Sequence, residues 1–307
     1  MKEKYLLELG GENTELGKYE ALELFATEKY SPKLVLDKTK IIVIEVSKRI
    51  DKLIIRRLGM TRRISRIIHY AKEEKIDKFL KNIPEIEIEN YSFAIRAIQK
   101  KEKSESAIAK KIGEKISIKN KINLTNPDLK ILYYAKEKSI ISIWKKKNET
   151  YYTKCLEHHI RYRPYFSPIG IHPRIARSMV NLSNCSSGDT IIDPFCGTGG
   201  ILIEIANMEI NAIGIDILNK MAEYSKGNLK HYDLKAKIIK GDIENLESSN
   251  FNAIVTDPPY GISTTTKGEG VEKLMKRSLE LFAKKMKTKQ RLVMAVSNPE
   301  LVQNKNY

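Results

Sequence analysis

A chain of 307 residues can hold two domains, each with its own core, and 30% charged residues describe a protein built for water. No apolar run approaches the roughly 20 residues that span a bilayer, and the acids in MKEKYLLELGGE interrupt the apolar stretch a secretory leader requires. The three cysteines, Cys155, Cys185 and Cys196, form neither a CxxC pair nor an even-numbered framework, which fits a reducing cytoplasm and leaves no metal site to expect.

The net charge of +17 is unevenly placed. Residues 1–165 hold 37 Lys and Arg against 23 Asp and Glu, whereas residues 166–307 hold 18 against 15. A lysine-rich, solvated surface accounts for the abundance but poorly for the asymmetry. A nucleic-acid partner held by the first half accounts for it better.

In chain order, Tyr5–Leu9 reads as a strand, Gly10-Gly11 as a turn and LGKYEALELFA as a helix with Leu16, Tyr19, Leu22 and Ala26 near helical spacing. LVLD and IIVIEVS read as strands. RRISRIIHYAKEEKIDKFL reads as a basic helix carrying Arg62, Arg63 and Arg66. SFAIRAIQ is then a strand, SESAIAKKIGEKI a helix with Ser104 or Ser106 as cap and Lys110-Lys111 in its body. KINLTNPDLKILYYAKEKSIISIW supplies further strands, broken at Asn126-Pro127, and the polar KKKNETYYTK reads as a linker. The five cations Arg62, Arg63, Arg66, Lys110 and Lys111 are the candidates for contacting phosphates.

SFAIRAI, SAIAKKIGEKI and INLTNPDLKI together resemble the THUMP domain, an RNA-binding module of tRNA-modifying enzymes, and YLLELGGEN with LGKYEALELF is similar to the ferredoxin-like domain that precedes it. The resemblance implies a ferredoxin-like domain over 1–55, THUMP over 56–148, a linker over 149–165 and a further domain over 166–307.

From Thr190 the pattern becomes α/β. TIIDPFCGTGGILIEIA gives strand, glycine-rich turn and helix; NAIGIDI, AKIIKGDI, FNAIVTDPPYG and RLVMAVS give four more strands, with helices LNKMAEYSKGNLKHY and VEKLMKRSLELFAKKMK between them. Such alternation predicts a doubly wound, Rossmann-like parallel sheet with its ligand at the carboxyl ends of the strands. Acids recur at those ends: Asp193, Asp216, Asp242 and Asp257. One would read as a helix cap; four in succession point to a ligand crevice.

The turn Asp193, Pro194, Phe195, Cys196, Gly197, Thr198, Gly199, Gly200 brings backbone close to a ligand but lacks the spacing of a pyrophosphate-binding turn. Asp216, followed by Ile217, is placed to accept both hydroxyls of a ribose, and Asp242, followed by Ile243, to accept from an adenine amine. That layout resembles class I methyltransferases, and the resemblance implies S-adenosylmethionine as cofactor. The adjacent His158 and His159 would point to opposite faces of a strand, which suits a linker or RNA-facing pair rather than a metal site.

The stretch TDPPYG carries the chemistry. An exocyclic aromatic amine is a poor nucleophile because its lone pair is delocalised into the ring. Two acceptors on its hydrogens, the Asp257 carboxylate and the Pro258 carbonyl, would aim that lone pair along the methyl–sulfur axis. Pro258 and Pro259 stiffen the backbone, Tyr260 offers a face for an extruded base, and Gly261 keeps the wall low. The motif names an amine without naming the base.

THUMP beside a DPPYG methyltransferase, preceded by RPYFSPIGIHPRIARSMVNLS, resembles the archaeal tRNA guanine-N2 methyltransferases acting at tRNA position 10. What this implies is a cytoplasmic tRNA methyltransferase, with Phe166, Pro168 and Ile169 lining the methionine end of the cofactor. Competing readings are THUMP relatives acting at position 6 or on ribosomal RNA, a DNA-amine or protein-glutamine methyltransferase, and an inactive RNA-binding fragment. The family's sheet continues beyond RLVMAVS, so a C-terminally short domain with an open fifth-strand edge, covered by another chain or by self-association, is expected.

Overall fold

The computed structural model describes residues 2–11, 13–72, 76–86, 91–99, 105–116, 121–135, 138–168, 170–246, 251–259 and 270–296. Its contacts divide the chain into two units: Met1–Lys18 with Tyr30–Arg56 and Thr61–Tyr151, and Tyr19–Lys29 with Arg57–Met60 and Tyr152–Tyr307.

The first unit is built on one seven-stranded sheet, to which both expected N-terminal regions contribute. Its strands are β1 (Glu3–Leu9), β2 (Lys33–Lys38), β3 (Ile41–Val46), β4 (Thr61–Lys72), β5 (Phe93–Gln99), β6 (Leu129–Ala135) and β7 (Lys138–Lys145), in the order β2-β3-β1-β4-β7-β6-β5. Only β5 and β6 run parallel, the crossover between them containing helix α4 (Glu105–Gly113). Helix α3 (Ile76–Lys81) and α4 bury Phe79, Ile108 and Ile112 against Ile131, Tyr133 and Ile141 of β6 and β7. Each such side chain contributes roughly 1.5–3 kcal/mol by leaving water.

Among the described residues the expected basic helix over 62–80 is not there: Arg62–Lys72 belong to β4, and Ile76–Lys81 alone are helical. The cause is visible in the register. Strand β4 pairs with β1 on one side and β7 on the other, and its pairing with β7 slips at Ile67–His69. A bulge breaks strict alternation, so Ile64, Ile67 and Ile68 fall at i, i+3 and i+4 and imitate a helical stripe. Their β-branched side chains favour the strand.

Helix α1 (Thr14–Thr27) forms where expected, but its buried face is Gly17, Glu20, Ala21, Leu24 and Phe25, whereas Tyr19 is 53% exposed. The face is rotated because Glu20 is a core residue. Within the second unit its carboxylate is fully buried and accepts from the Gly59 and Met60 amides at 2.8 Å each and from Asn181 Nδ2 at 2.9 Å. Beside it Arg57, the last residue of helix α2 (Lys52–Arg57), donates to Glu28 at 2.7 Å and to the Cys185 carbonyl at 2.9 Å.

The second unit carries helix α5 (Pro173–Leu182) and then the alternating elements β8 (Thr190–Asp193), α6 (Gly200–Asn207), β9 (Asn211–Asp216), α7 (Asn219–His231), β10 (Lys237–Lys240), β11 (Ala253–Thr256), α8 (Val271–Lys285) and β12 (Arg291–Met294). The sheet order is β10-β9-β8-β11-β12, all pairs parallel. Order therefore reverses between β8 and β11, and β12 is an edge strand among the described residues, half-buried along its length. Ile201, Leu202 and Ile205 of α6 meet Ile191, Ala212 and Val255 in the core.

The two adjacent histidines are not on a strand. His158 closes a 3-10 turn (Lys154–His158), is buried, and places Nδ1 2.8 Å from Glu204 Oε1 on α6. Arg177 Nη1 holds the other oxygen of Glu204 at 2.7 Å. His158 is thus an internal hydrogen-bond partner of Glu204 rather than an RNA-facing group, while His159 is half-buried and its Nδ1 accepts from the Arg161 amide at 3.4 Å.

Candidate active site

Two loops meet at the switch point, the place where doubly wound sheets open a crevice. The first is the turn after β8. Gly197 and Gly199 adopt φ of +50° and +84°, and a Cβ on Gly199 would lie 2.6 Å from Ser225 Oγ of α7. Backbone conformation and close approach both require glycine there. Pro194, Cys196 and Thr198 are buried, Phe195 packs half-buried against the Ile192 cluster, and Asn228 Nδ2 donates to the Thr198 carbonyl at 2.9 Å.

Asp216, ending β9, accepts from the Gly197 amide at 2.9 Å and the Leu218 amide at 2.8 Å, one bond to each oxygen. Burial raises its pKa, and those two bonds oppose the rise. Each oxygen keeps a further lone pair, so the carboxylate is equipped to take the hydroxyls of a ribose. Ile217 beside it is half-buried.

Asp242 opens the 3-10 turn Ile243–Asn245 and accepts from the Glu244 amide at 3.1 Å. Arg277 of α8 donates to both its oxygens, at 2.8 and 3.3 Å. The carboxylate expected to receive an adenine amine thus already carries a guanidinium, a neighbour 35 residues away that local spacing does not disclose. Ile243 is buried against the sheet end.

Asp193 is turned inward. It is 1% exposed and accepts from the Phe195 amide at 3.1 Å and from Thr256 Oγ at 2.6 Å, tying the end of β8 to the end of β11. Burial pushes its carboxyl up to about 7, the Thr256 and Phe195 bonds pull it down, and the charges of Asp257 and Asp216 add to the rise. A pKa raised above the ordinary 3.8 contributes stability that is full below pH 4 and lost as pH rises through about 7. The melting temperature is therefore expected to fall between pH 5 and pH 8. Asp193→Asn should flatten that fall, by an amount equivalent to a few kcal/mol at most. Thermal melts of both proteins across the range check it; parallel curves would refute the assignment.

The second loop follows β11. Asp257 is half-buried directly after Thr256, and Pro258 and Pro259 are buried and half-buried. The pairing of β8 with β11 puts Asp257 across the switch point from the glycine-rich turn. Tyr260 and Gly261 lie outside the described residues, as does Ile169; Phe166 and Pro168 are exposed.

In the first unit the candidate phosphate contacts do not share one face. Arg62 and Arg66 are exposed, two positions either side of the buried Ile64, while Arg63 points oppositely, 2.8 Å from Glu8 and 5.7 Å from the centre of the Trp144 ring. Lys110 is exposed and Lys111 is paired with Asp77. A group that the sequence reading passes over is more concentrated. Lys130 lies 5.0 Å from the same Trp144 ring, and burial together with the charges of Arg63 and Arg96 depresses its pKa. Register alone assembles it: Lys130 stands opposite Trp144 on one neighbouring strand and Ala94 on the other. Among the described residues no three His, Cys, Asp or Glu side chains cluster as a metal site, and no helix is long and apolar enough to cross a membrane.

Fold and site together define a methyltransferase of the Rossmann-like class. The family described as "RMKL-like, methyltransferase domain" matches residues 161–305, and one described as "DNA methylase" matches 29–227, a span that stops ahead of Asp257. A tRNA (guanine(10)-N2)-dimethyltransferase of Methanocaldococcus jannaschii is 35% identical over 89% of this chain and 87% of its own length. A protein of the same name from Methanothermobacter thermautotrophicus is 35% identical over 78% and 72%. The chain belongs to that family. Its fold is also that of TrmN from Thermus thermophilus, with a TM-score of 0.56 at 13% identity over 97% of this chain and 90% of the other.

Proposed function

We propose that the protein methylates the exocyclic N2 amine of a guanine in tRNA, at position 10, adding one and then a second methyl group. The observation that carries this reading is Asp257-Pro258 standing at the switch point opposite the glycine-rich turn, in a chain whose relatives bear that name. S-adenosylmethionine supplies the methyl group as an electrophilic sulfonium.

The residues present suit that donor. In this reading the turn Asp193–Gly200 lies under the nucleoside, Asp216 takes the ribose hydroxyls, Ile217 and Ile243 flank the adenine, and Phe166 and Pro168 border the methionine end. Asp242 contributes to the adenine side only where Arg277 leaves an oxygen free to accept. Asp257 and the Pro258 carbonyl accept from the guanine amine, turning its lone pair toward the methyl carbon. As the new bond forms, the positive charge on nitrogen is stabilised by the Asp257 carboxylate, which then takes the proton. Tyr260 stacks on the flipped base.

The first unit supplies the grip on RNA, with residues 1–55 as the ferredoxin-like part and 56–148 as THUMP. Arg62 and Arg66 meet phosphates, and Arg63 and Lys130 beside Trp144, with the charge of Arg96 acting on Lys130, form a second cationic contact at an aromatic face. The place of work is the cytoplasm, and β12 is the edge to which a further strand or chain would add. The test is transfer of labelled methyl from the donor to bulk tRNA, DNA and protein offered separately. Label is expected in tRNA alone; label in DNA or protein would favour the competing amine substrates.

A further inference from the structure

Arg163 stands in the segment that leads into the second domain, where its neighbours are fixed to the glycine-rich turn. The Tyr165 amide donates to Asn228 Oδ1 at 3.0 Å, and Asn228 Nδ2 donates to the carbonyls of Tyr165 and Thr198 at 3.1 and 2.9 Å. Arg163 itself is 5% exposed. Its Nε donates to the His158 carbonyl at 2.9 Å, but Nη1 and Nη2 have no hydrogen-bond partner. Glu204, the carboxylate whose charge it feels, has one oxygen on His158 and the other on Arg177.

The guanidinium borders the first residue of α6: a Cβ placed on Gly200 would lie 3.1 Å from Nη1. A helix N-terminus carries partial positive charge and unsatisfied amides, so a cation beside it is held against repulsion. Buried donors are almost always satisfied, and a buried guanidinium with both terminal nitrogens unpaired is among the costliest exceptions. Helix end and guanidinium lack the same thing, an anion at the first turn of α6. Resting on the cofactor reading above, the anion available there is the carboxylate on the amino-acid part of the methyl donor.

We propose that Arg163 is the buried counter-charge that binds the α-carboxylate of the cofactor at the first turn of α6. It is a binding residue, not a group that touches the transferred methyl. The consequence is selectivity: the site distinguishes cofactor from analogues lacking the carboxylate.

The experiment is calorimetric binding of S-adenosylhomocysteine and its decarboxylated analogue to the full chain and to Arg163→Met, with thermal melts of the unliganded proteins. Wild type is expected to favour the carboxylate-bearing ligand by roughly 100-fold, the scale of a broken buried charge pair. Arg163→Met should lose that preference, leave affinity for the decarboxylated analogue within about threefold, and melt no lower than wild type, since it removes an unpaired buried charge. Arg163→Lys should recover part of the preference as a point charge. Equal loss of affinity for both ligands, with a lowered melt, would assign Arg163 to the fold and overturn the inference. So would a wild type that binds both ligands alike, a comparison that needs no variant to fold. Failure of wild type to bind either ligand would overturn the cofactor reading itself; binding with an unaltered preference in Arg163→Met would overturn only this inference.

Discussion

Replacing Asp257 by alanine is expected to lower methyl transfer to tRNA by about 10²- to 10⁴-fold while S-adenosylhomocysteine affinity changes less than tenfold. The expectation follows from where the side chain stands: at the carboxyl end of β11, half-buried and across the switch point from the glycine-rich turn. In the proposed mechanism a carboxylate there acts on the amine's lone pair, on the charge developing at nitrogen and on the proton that leaves it. Alanine removes all three effects, and general-base and electrostatic contributions of this kind are each worth roughly 10²–10⁴. Asparagine keeps an acceptor for orienting the amine but not the negative charge, so Asp257→Asn should fall between wild type and alanine. Single-turnover rates with saturating cofactor check the order. Retention of more than a tenth of the wild-type rate in Asp257→Ala would remove the residue from the mechanism.

The largest effect on stability is expected at Glu20. Its carboxylate is the acceptor for two backbone amides and one side-chain amide in a fully buried setting. Glu20→Ala leaves the Gly59 and Met60 amides with nothing to bond, Asn181 keeping the Arg57 carbonyl at 3.0 Å, and opens a small void, at a cost of about 3–5 kcal/mol. For a domain of this size that corresponds to a melting temperature lower by roughly 8–15 °C. Glu20→Gln has the same shape but presents a donor where one of the amides donates, and should lose less. Thermal melts decide it. An alanine variant within about 2 °C of wild type would show the three bonds to be dispensable.

The glutamate also shows where sequence reading stops. The helix over LGKYEALELFA is legible, but its face is not, because Glu20 counts as polar in any pattern and becomes core only when Gly59, Met60 and Asn181 surround it. The alternation from Thr190 onward is legible throughout, since parallel strands buried on both sides are short apolar runs whose boundaries are marked by acids and glycines. The roles of those acids are less uniform than their recurrence suggests: Asp193 ties two strands together, Asp216 holds the turn with lone pairs to spare, and Asp242 is engaged by Arg277. Arg62–Lys72 misleads because a bulge gives a strand the spacing of a helix. Lys130 and Trp144 give no local signal; only the strand register makes them neighbours.

In the proposed reaction, Asp257 directs an activated methyl onto the N2 amine of a tRNA guanine. Unmodified tRNA transcript incubated with the protein and S-adenosylmethionine, digested to nucleosides and mapped by mass spectrometry of fragments, tests it most directly. N2-methylguanosine followed by N2,N2-dimethylguanosine at position 10, absent with Asp257→Ala, is the expected result. Methyl groups on adenine or cytosine amines, or on guanines elsewhere in the tRNA, would contradict it.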